Sequence, residues 1–462
     1  MRCSVVIPCH NGVELTRACL QTLLAQTAPP DEILIVDNAS DDATTALADE
    51  FGPPVRVLRQ QRNLGFAGGV NAGLRAASGE ELLVVNNDTQ AANNLIAELR
   101  RALHHSPTIG AVAPVSNHVK GDAHLMVGEF ARDPEQREAL AEELQQAPLL
   151  QDVDTLAGLC LMVRRGTLAE VGLLDERFGH GNYEDDDFSL RLRLHGYRLA
   201  VARRAFLHHE GHATFHALGI DLFDEIERRL GQFRDKWQHH PAGLATIANL
   251  HSDLRLAAAA AEEARRRCPQ WLDADWLIGR FHERRGDADR AIRHLRTFLR
   301  HCPEHVEARL FLGTALLRAG RTDEGTAVLE ATLRRHRPTR GQETHMLERL
   351  GELAYQRGQH TAALEHFSLA TGLMPERNEL HNWRGLCLLA LGRVEAARHS
   401  FARAIELGHA LAHSNLGVCL HRLGHEDEAF RSFEQAVVLL PEDPIARANY
   451  DAGLAARSPA PC

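Results

Sequence analysis

Polar side chains in the first half of the chain stand directly after apolar runs. Asp37 ends the run Glu32–Asp37, and Asn86-Asn87-Asp88 follows Glu81–Val85. A carboxylate such as Asp37 can accept hydrogen bonds from a nucleotide base or a ribose, and Asp88 can hold Mg²⁺ or Mn²⁺ against a diphosphate. Each pattern has a plainer interpretation as well: a turn with a helix N-cap after Asp37, and an ordinary loop at Asn86–Asp88.

Two further clusters carry titratable groups. Glu184–Asp187 is a run of four carboxylates, which repel one another, so at least one pKa is expected to be raised and suited to a general base. The alternative is the acidic first turn of a helix that ends near Gly196. His208, His209 and His212 could bind a metal or a phosphate, although the chain has 28 His and most must be surface residues.

A glycine-rich segment, Asn63–Gly73, precedes a helix expected over Val70–Ala77. Glycines before a helix let a bound group approach backbone N–H donors, where the helix dipole favours negative charge. The segment lacks the Gly-Lys-Ser/Thr ending of a Walker loop and does not follow a strand as a dinucleotide fingerprint does. A tight turn is the alternative.

These side chains need a scaffold, and alternating patterns supply one. The predicted strands are Ser4–Pro8, Glu32–Asp37, Val55–Leu58 and Glu81–Val85, and the helices between them are Glu14–Gln26, Thr44–Phe51 and Val70–Ala77. Strands that alternate with helices predict a Rossmann-like, mostly parallel sheet covered on both faces. Ligands bind such sheets beyond the carboxyl ends of the strands.

From about residue 245 the pattern becomes helical and repetitive. A first glycine recurs at intervals of 34, 38, 34 and 32 residues, with a second glycine seven residues later and a large apolar residue sixteen residues later. The first glycines are Gly279, Gly313, Gly351, Gly385 and Gly417, and the second are Gly286, Gly320, Gly358, Gly392 and Gly424. Prolines close several units. This pattern resembles the tetratricopeptide repeat, a pair of antiparallel helices that stacks on its neighbours. The 38-residue interval predicts a four-residue insertion near 336–341.

Composition limits the remaining possibilities. The net charge of −10 argues against nucleic-acid binding, which needs a basic face. Nine scattered Cys favour free thiols in a reducing compartment. The sequence has neither a signal-peptide pattern nor an apolar run of about 20 residues. We therefore expect a cytoplasmic protein without a transmembrane segment, or one that is peripheral at the inner face of a membrane.

Taken together and in order, six segments resemble the inverting family-2 glycosyltransferases, in particular bacterial rhamnosyltransferase-like members. The segments are Val5–Asn11, Ile35–Ser40, Asn63–Asn71, Asn86–Asp88, Glu184–Asp187 and His208–His209, within about residues 1–237. The resemblance implies a GT-A fold, a nucleotide-diphosphate sugar donor such as a UDP- or dTDP-sugar, and Mg²⁺ or Mn²⁺. It implies transfer of a hexosyl or deoxyhexosyl group to a glycan, lipid-linked or protein acceptor, in cell-surface glycan biosynthesis.

The resemblance also implies roles for individual residues. Asp185 would be the catalytic base, and Glu184 could share that duty. Asp88 would bind the metal with His208 or His209. The donor-binding set would be Pro8, Asn11, Asp37, Asn63, Gly65, Asn71 and Asn87. Asn86 stands where the family has the first acid of its metal motif, so metal binding would depend mainly on Asp88. The run of three Asp after Glu184 leaves the position of the base open by one residue.

The expected organisation is a transferase domain over 1–238, a linker and degenerate repeat over 239–270, about five repeats over 271–457 and a disordered tail over 458–462. The repeats would bind a protein partner or the acceptor. The alternative from another class is a catalytically inactive transferase-like scaffold that acts through its repeats. A nucleotidyltransferase is disfavoured because no basic, glycine-rich loop follows the first strand.

Overall fold

The computed structural model describes residues 1–117, 123–124, 133–179, 181–211, 222–336 and 338–457. His212 and the tail 458–462, both part of the sequence predictions, lie outside these residues. The chain packs as two compact units, one of Met1–Gly325 with Arg334–Arg337 and one of Thr326–Leu333 with Pro338–Cys462.

The first unit is built on a sheet of nine strands. They are β1 (Cys3–Cys9), β2 (Glu32–Asp37), β3 (Val55–Arg59), β4 (Glu81–Val85), β5 (Thr89–Ala91), β6 (Ile109–Ser116), β7 (Leu150–Val153), β8 (Cys160–Arg164) and β9 (Arg198–His209). Their order is β3-β2-β1-β4-β8-β6-β9-β5, and β7 pairs with β9. The four predicted strands β1 to β4 are confirmed and run parallel. The other strands, which the sequence analysis did not assign, pair mainly antiparallel, so the sheet is mixed.

Helices cover both faces of this sheet, as the sequence predicts. They are α1 (Val13–Leu24), α2 (Leu47–Phe51), α3 (Gly65–Ala76), α4 (Leu95–Leu103), α5 (Pro134–Leu144), α6 (Arg165–Val171) and α7 (Glu184–Leu194). Alternate residues of one strand enter opposite cores: Val5 and Ile7 pack with α1 and α4, whereas Val6 packs with α3 and α7. This period of two is a property of extended backbone, and here both faces are apolar because both are covered.

The predicted start of the third helix is wrong. It begins at Gly65, inside the glycine-rich segment, and not at Val70. A Cβ on Gly73 would lie 2.3 Å from Cγ1 of Val6, and a Cβ on Gly69 would lie 2.6 Å from Nδ2 of Asn38. Glycine weakens a helix by about 1 kcal/mol relative to alanine. Here it also lets the helix lie close against β1 and β2, and that packing outweighs propensity.

The helical region contains paired helices of the predicted kind. The helices after α7 are Leu222–Trp237, Pro241–Leu250, Leu254–Arg267, Asp273–Arg284, Ala288–His301, Val306–Arg318, Thr322–Arg335, Arg340–Gln356, His360–Leu373, Asn378–Ala390, Val394–Glu406, Ala412–Arg422, Glu426–Leu439 and Pro444–Arg457. Arg340–Gln356 has 17 residues whereas Asn378–Ala390 has 13, so the four-residue insertion lengthens a helix.

The two glycine positions of each repeat have the predicted functions. The second glycines all have positive φ, from 72° to 82°, and lie at the turn between paired helices. A Cβ on Gly385 would lie 2.5 Å from Cε1 of Phe401, and a Cβ on Gly417 would lie 2.5 Å from Cε1 of Phe433. The large residue therefore packs on the glycine of its own repeat. It also contacts the next one, since Phe367 stacks on Trp383 with centroids 5.4 Å apart.

Two findings bear on compartment. Eight cysteines of the described chain are free thiols, and all except Cys268 are buried. Among the described helices, none is long and apolar enough to cross a membrane.

Candidate active site

The ends of β1 and β2 form one wall of the candidate site. Cys9 and Asp37 are paired in register, so the residues that follow them lie side by side. The Asp37 side chain is fully buried, accepts a hydrogen bond from the Ser40 N–H at 2.8 Å and lies 3.7 Å from Nε of Arg59. Oδ1 of Asn11 accepts the N–H of Asp41 at 2.9 Å, and the backbone N–H of Asn11 donates to Oγ of Ser40 at 2.8 Å. The predicted residues Asn11 and Asp37 are thus linked through Ser40, and Pro8 lies buried within β1.

The end of β4 forms the centre of the site. Asn87 donates to Oγ1 of Thr16 at 3.0 Å, which ties this loop to α1. Asp88 is 5% exposed, and its Oδ1 accepts no hydrogen bond. Nε2 of His209 lies 3.4 Å from that oxygen. The antiparallel pairing of β5 with β9 sets Thr89 opposite His209, and this register brings a histidine 121 residues away to Asp88.

The two histidines predicted as metal ligands lie on opposite sides of β9, because neighbouring residues in a strand point to opposite faces. His209 is the one beside Asp88. His208 is buried, opposite Gln90 in register, and its Nε2 lies 3.4 Å from the carboxylate of Glu210. Asp88 and His209 are therefore the pair that could share a metal. Within the described residues, no group of three or more His, Cys, Asp or Glu side chains is arranged to hold an ion.

The acidic run is the first turn of α7, so the helical interpretation is confirmed. Glu184 is 5% exposed and borders a small cavity that is otherwise lined mainly by apolar side chains such as Phe66 and Phe188. Burial raises the pKa of Glu184 well above its usual range, and the charges of Asp185 and Asp186 add to the effect while Arg229 opposes it. The expected raised pKa is thus present at Glu184.

Asp185 connects α7 with the centre of the sheet. Its Oδ2 accepts the N–H of Gly158 at 3.0 Å, and its Oδ1 accepts the N–H of Asp186 at 2.9 Å. The next residue, Leu159, accepts the N–H of Asn86 at 2.9 Å. The backbone of 158–159 therefore bridges the predicted base and the loop that carries Asp88. Asp185 is half-buried and borders the same small cavity as Glu184.

Asp187, the last acid of the run, has a structural function. Its side chain is fully buried and accepts hydrogen bonds from Nε1 of Trp237 and Nε of Arg191, both at 2.9 Å. Nζ of Lys236 lies 2.5 Å from the same carboxylate and 2.7 Å from Asp175. These contacts fasten the first turn of α7 to the helix Leu222–Trp237 and engage both carboxylate oxygens of Asp187.

The glycine-rich segment packs against the loop that precedes α7. Oδ1 of Asn63 accepts the N–H of Gly65 at 2.8 Å and so shapes the turn that enters α3. Gly65 has φ +74°, and a Cβ there would lie 2.3 Å from the carbonyl oxygen of Gly179. Asn71 is buried and donates to Leu174 O and to Oε1 of Glu176, both at 2.9 Å. Contacts between the nucleotide-sugar donor and Asn63, Gly65 or Asn71 stay predictions. The hydrogen bonds observed here fix the loop that leads to α7.

Several buried polar atoms in this region have no hydrogen-bond partner: Asp37 Oδ2, Asn38 Oδ1, Asn86 Oδ1, Asp88 Oδ1 and Glu184 Oε2. An unsatisfied buried oxygen costs about 1–3 kcal/mol, so native structures keep few of them. Here they cluster at the carboxyl ends of β2 and β4 and at the start of α7. Such oxygens are where donor groups of a ligand would bind.

Sequence reasoning missed two residues of this site. Asn117 binds both backbone groups of His209: its Oδ1 accepts the N–H at 2.8 Å and its Nδ2 donates to the carbonyl at 3.0 Å. It follows directly after β6, so the rule that drew attention to Asp37 and Asp88 would have found it had β6 been assigned. Asn38 donates to Gly65 O at 3.2 Å and links β2 to α3.

Carboxylates at the strand ends, an Asp–His pair and an acidic helix start thus lie beyond the carboxyl ends of β2 and β4, where α/β proteins bind ligands. Residues 4–172 match the family described as Glycosyl transferase family 2. The N-acetylglucosaminyl-diphospho-decaprenol L-rhamnosyltransferase of Mycobacterium tuberculosis is 30% identical over 238 residues, 46% of this chain and 76% of that protein. The chain therefore belongs to glycosyl transferase family 2, and it is a glycosyltransferase.

A second relative and one solved structure are also similar to this chain. The uncharacterized glycosyltransferase YfnE of Bacillus subtilis is 23% identical over 283 residues, 52% of this chain and 71% of that protein. A solved structure of the mannosyltransferase PcManGT from Pyrobaculum calidifontis, in complex with GDP-Man and Mn²⁺, aligns with a TM-score of 0.38 at 22% identity, covering 57% of this chain and 74% of that one. Tetratricopeptide repeats match over 277–338, 312–375, 349–408 and 384–444, which confirms the repeat region.

Proposed function

We propose that this chain is an inverting glycosyltransferase that moves a hexosyl or deoxyhexosyl group from a UDP- or dTDP-sugar to an acceptor hydroxyl. The cluster of unsatisfied buried oxygens at Asp37, Asn86 and Asp88 carries the proposal. A nucleoside offers N–H and O–H donors to Asp37, and the diphosphate would lie toward Asp88. The name of the mycobacterial relative favours an L-rhamnosyl donor and a lipid-linked diphosphate acceptor.

In the proposed reaction Asp185 is the base. Its half-buried carboxylate takes the proton of the acceptor hydroxyl while the acceptor oxygen attacks the anomeric carbon and the nucleoside diphosphate departs. One displacement on one face of the sugar inverts the anomeric configuration. Glu184, the residue before Asp185, is buried, and in its protonated form it adds no second negative charge next to Asp185. We therefore assign the base to Asp185 and a tuning function to Glu184.

The residues present fit a divalent cation. Asp88 Oδ1 is buried without a hydrogen-bond donor, and Nε2 of His209 lies 3.4 Å from it. Mg²⁺ and Mn²⁺ commonly take one or two protein ligands and complete their shell with phosphate oxygens and water. Bound there, the cation would neutralise charge on the leaving diphosphate. His208 points away from Asp88 and would support β9.

The domain bounds 1–238, 239–270 and 271–457 stay predictions, as do a cytoplasmic location and a function in cell-surface glycan biosynthesis. We propose that the repeats bind a protein partner or a protein acceptor, because stacked helix pairs present a continuous surface for such ligands.

A panel of nucleotide sugars with Mn²⁺, read by release of the nucleoside diphosphate, tests the proposal. We expect turnover of one donor class by the wild-type protein and loss of at least about 100-fold in Asp88→Asn, since a metal site supplies several kcal/mol of charge stabilisation. Glu50→Gln, on the exposed side of α2, is the control and should leave the rate unchanged. No turnover with any donor by the folded protein would favour the inactive scaffold.

A further inference from the structure

The helix that carries the proposed base is held at its other end by the helical region. Arg193 lies in the last turn of α7 and is completely buried. Its guanidinium pairs with the carboxylate of Asp273, the first residue of the helix Asp273–Arg284. The same guanidinium lies 5.8 Å from the ring centroid of Phe298, in the following helix.

Buried arginine is costly unless it is paired, because its charge cannot be neutralised at ordinary pH. The other protein contacts of the Arg193 guanidinium are weak: the carbonyl of Val153 at 3.4 Å and the sulfur of Cys302 at 3.9 Å. Nε of Arg193 has no hydrogen-bond partner. Asp273 is therefore the carboxylate that pairs directly with the buried guanidinium, and Asp154 is a second carboxylate whose charge interacts favourably with it.

Three further polar links lie near this pair, and all of them join the end of β7 to the same helical region. Asp154 accepts Nε1 of Trp276 and lies 3.1 Å from Nε2 of His305. Nδ1 of His305 accepts the N–H of Ala308 at 3.1 Å, so a neutral His305 carries its proton on Nε2 and donates it to Asp154. Asp152 accepts the N–H of Glu304 at 2.8 Å.

The division of the chain into compact units agrees with these contacts. The helices through Val306–Arg318 belong to the compact unit that contains the sheet. The helix pair Asp273–Arg284 and Ala288–His301, which the repeat pattern assigns to the array, is thus packed with the transferase. Asp185 and Arg193 are eight residues apart on one helix, roughly 12 Å at 1.5 Å per residue.

We propose that Asp273 is a positioning residue for sugar transfer: by pairing with Arg193 it fixes α7, and so the first repeat is a required part of the transferase. The proposal rests on the assignment of Asp185 as the base. A structural change in the first repeat could then move α7 and so change the rate of sugar transfer.

The test compares Asp273→Asn with Asp275→Asn in the full chain. Both changes remove one carboxylate from the first turn of the same helix, but the partners of Asp275 are His294 at 2.6 Å and Arg265 at 3.6 Å, both in the helical region. Hydrogen exchange is measured in peptides covering 184–194, and nucleoside diphosphate release is measured with UDP-glucose, UDP-N-acetylglucosamine and dTDP-L-rhamnose. Asp273→Glu, which keeps the carboxylate, is the rescue variant.

We expect Asp273→Asn to speed exchange in α7 at least about 10-fold and to lower kcat at least about 10-fold with little change in the donor KM, since small misplacement of a catalytic group is costly. Asp275→Asn should change neither quantity, and Asp273→Glu should recover part of both. Unchanged α7 exchange in Asp273→Asn, or equal effects of Asp275→Asn, would overturn the inference. If the wild type turns over no donor, the proposed function fails, whereas the exchange data still decide whether Asp273 holds α7.

Discussion

The acidic turn of α7 offers the sharpest prediction, because four adjacent carboxylates have different surroundings. Asp187 is fully buried against Trp237, Arg191 and Lys236. Breaking a buried pair by neutralising one member costs about 3–5 kcal/mol. Arg191 keeps the carbonyl of Val171 at 2.8 Å and Lys236 keeps Asp175 at 2.7 Å, so we expect the lower end for Asp187→Asn.

About 3 kcal/mol corresponds to a fall of roughly 4 °C in the melting temperature of the unit Met1–Gly325 with Arg334–Arg337, at an unfolding entropy of about 2.1 cal/mol/K per residue. Asp185→Asn should differ in kind. The single amide oxygen of the asparagine can still accept the Gly158 N–H, whereas the hydrogen bond from the Asp186 N–H is lost, so stability should fall by about 1 kcal/mol. Loss of the base should lower turnover by about 10²- to 10⁴-fold.

The assay combines thermal unfolding, followed by Trp fluorescence, with nucleoside diphosphate release at a temperature where all variants are folded. Asp186→Asn, half-buried in the same turn, is the control for loss of one charge. The reasoning is refuted if Asp187→Asn loses turnover at an unchanged melting temperature, or if Asp185→Asn keeps wild-type turnover.

Three further predictions concern other parts of the chain. Gly385→Ala places a Cβ 2.5 Å from the Phe401 ring and should destabilise the second unit by about 1–3 kcal/mol in a urea melt. Gly372→Ala, where a Cβ would have no atom within 4 Å, should be neutral or stabilising. Equal effects of the two changes would contradict this packing. His209→Ala should raise the Mn²⁺ concentration for half-maximal rate at least about 10-fold after EDTA treatment, and an unchanged requirement would exclude it as a ligand. Burial and the adjacent carboxylates raise the pKa of Glu184 in the folded protein. The stability that its raised pKa contributes is full below the ordinary value of about 4.3 and is lost as pH rises through the folded-state pKa. The melting temperature of Glu184→Gln relative to wild type should therefore increase from pH 5 to pH 8; a constant difference would count against the raised pKa.

Local patterns made part of this structure predictable. The strands β1, β2 and β4 are uninterrupted apolar runs that end in polar residues, so the positions of Asp37 and Asp88 could be inferred before any contact was known. The repeats were predictable for a similar reason: Gly385 and Phe401 recur at fixed spacing because each pair must pack in the same way.

The remaining features depend on contacts between distant residues. Asp187 could not be separated from Asp185 by sequence, because its partner Trp237 is 50 residues away. Neighbouring residues of a strand face opposite sides, but β9 was not assigned from the sequence. The sequence therefore could not show that His209, and not His208, lies beside Asp88. Helix propensity also misled at Gly65, because the glycines that weaken α3 are the ones that let it pack on the sheet.

The stereochemistry of transfer tests the central claim most directly. With the donor identified and a simple acceptor alcohol, the anomeric configuration of the first product can be read by NMR before any mutarotation. A single displacement assisted by Asp185 predicts a product whose anomeric configuration is opposite to that of the donor, and no such product with Asp185→Asn. A product that retains the donor's configuration would contradict the account.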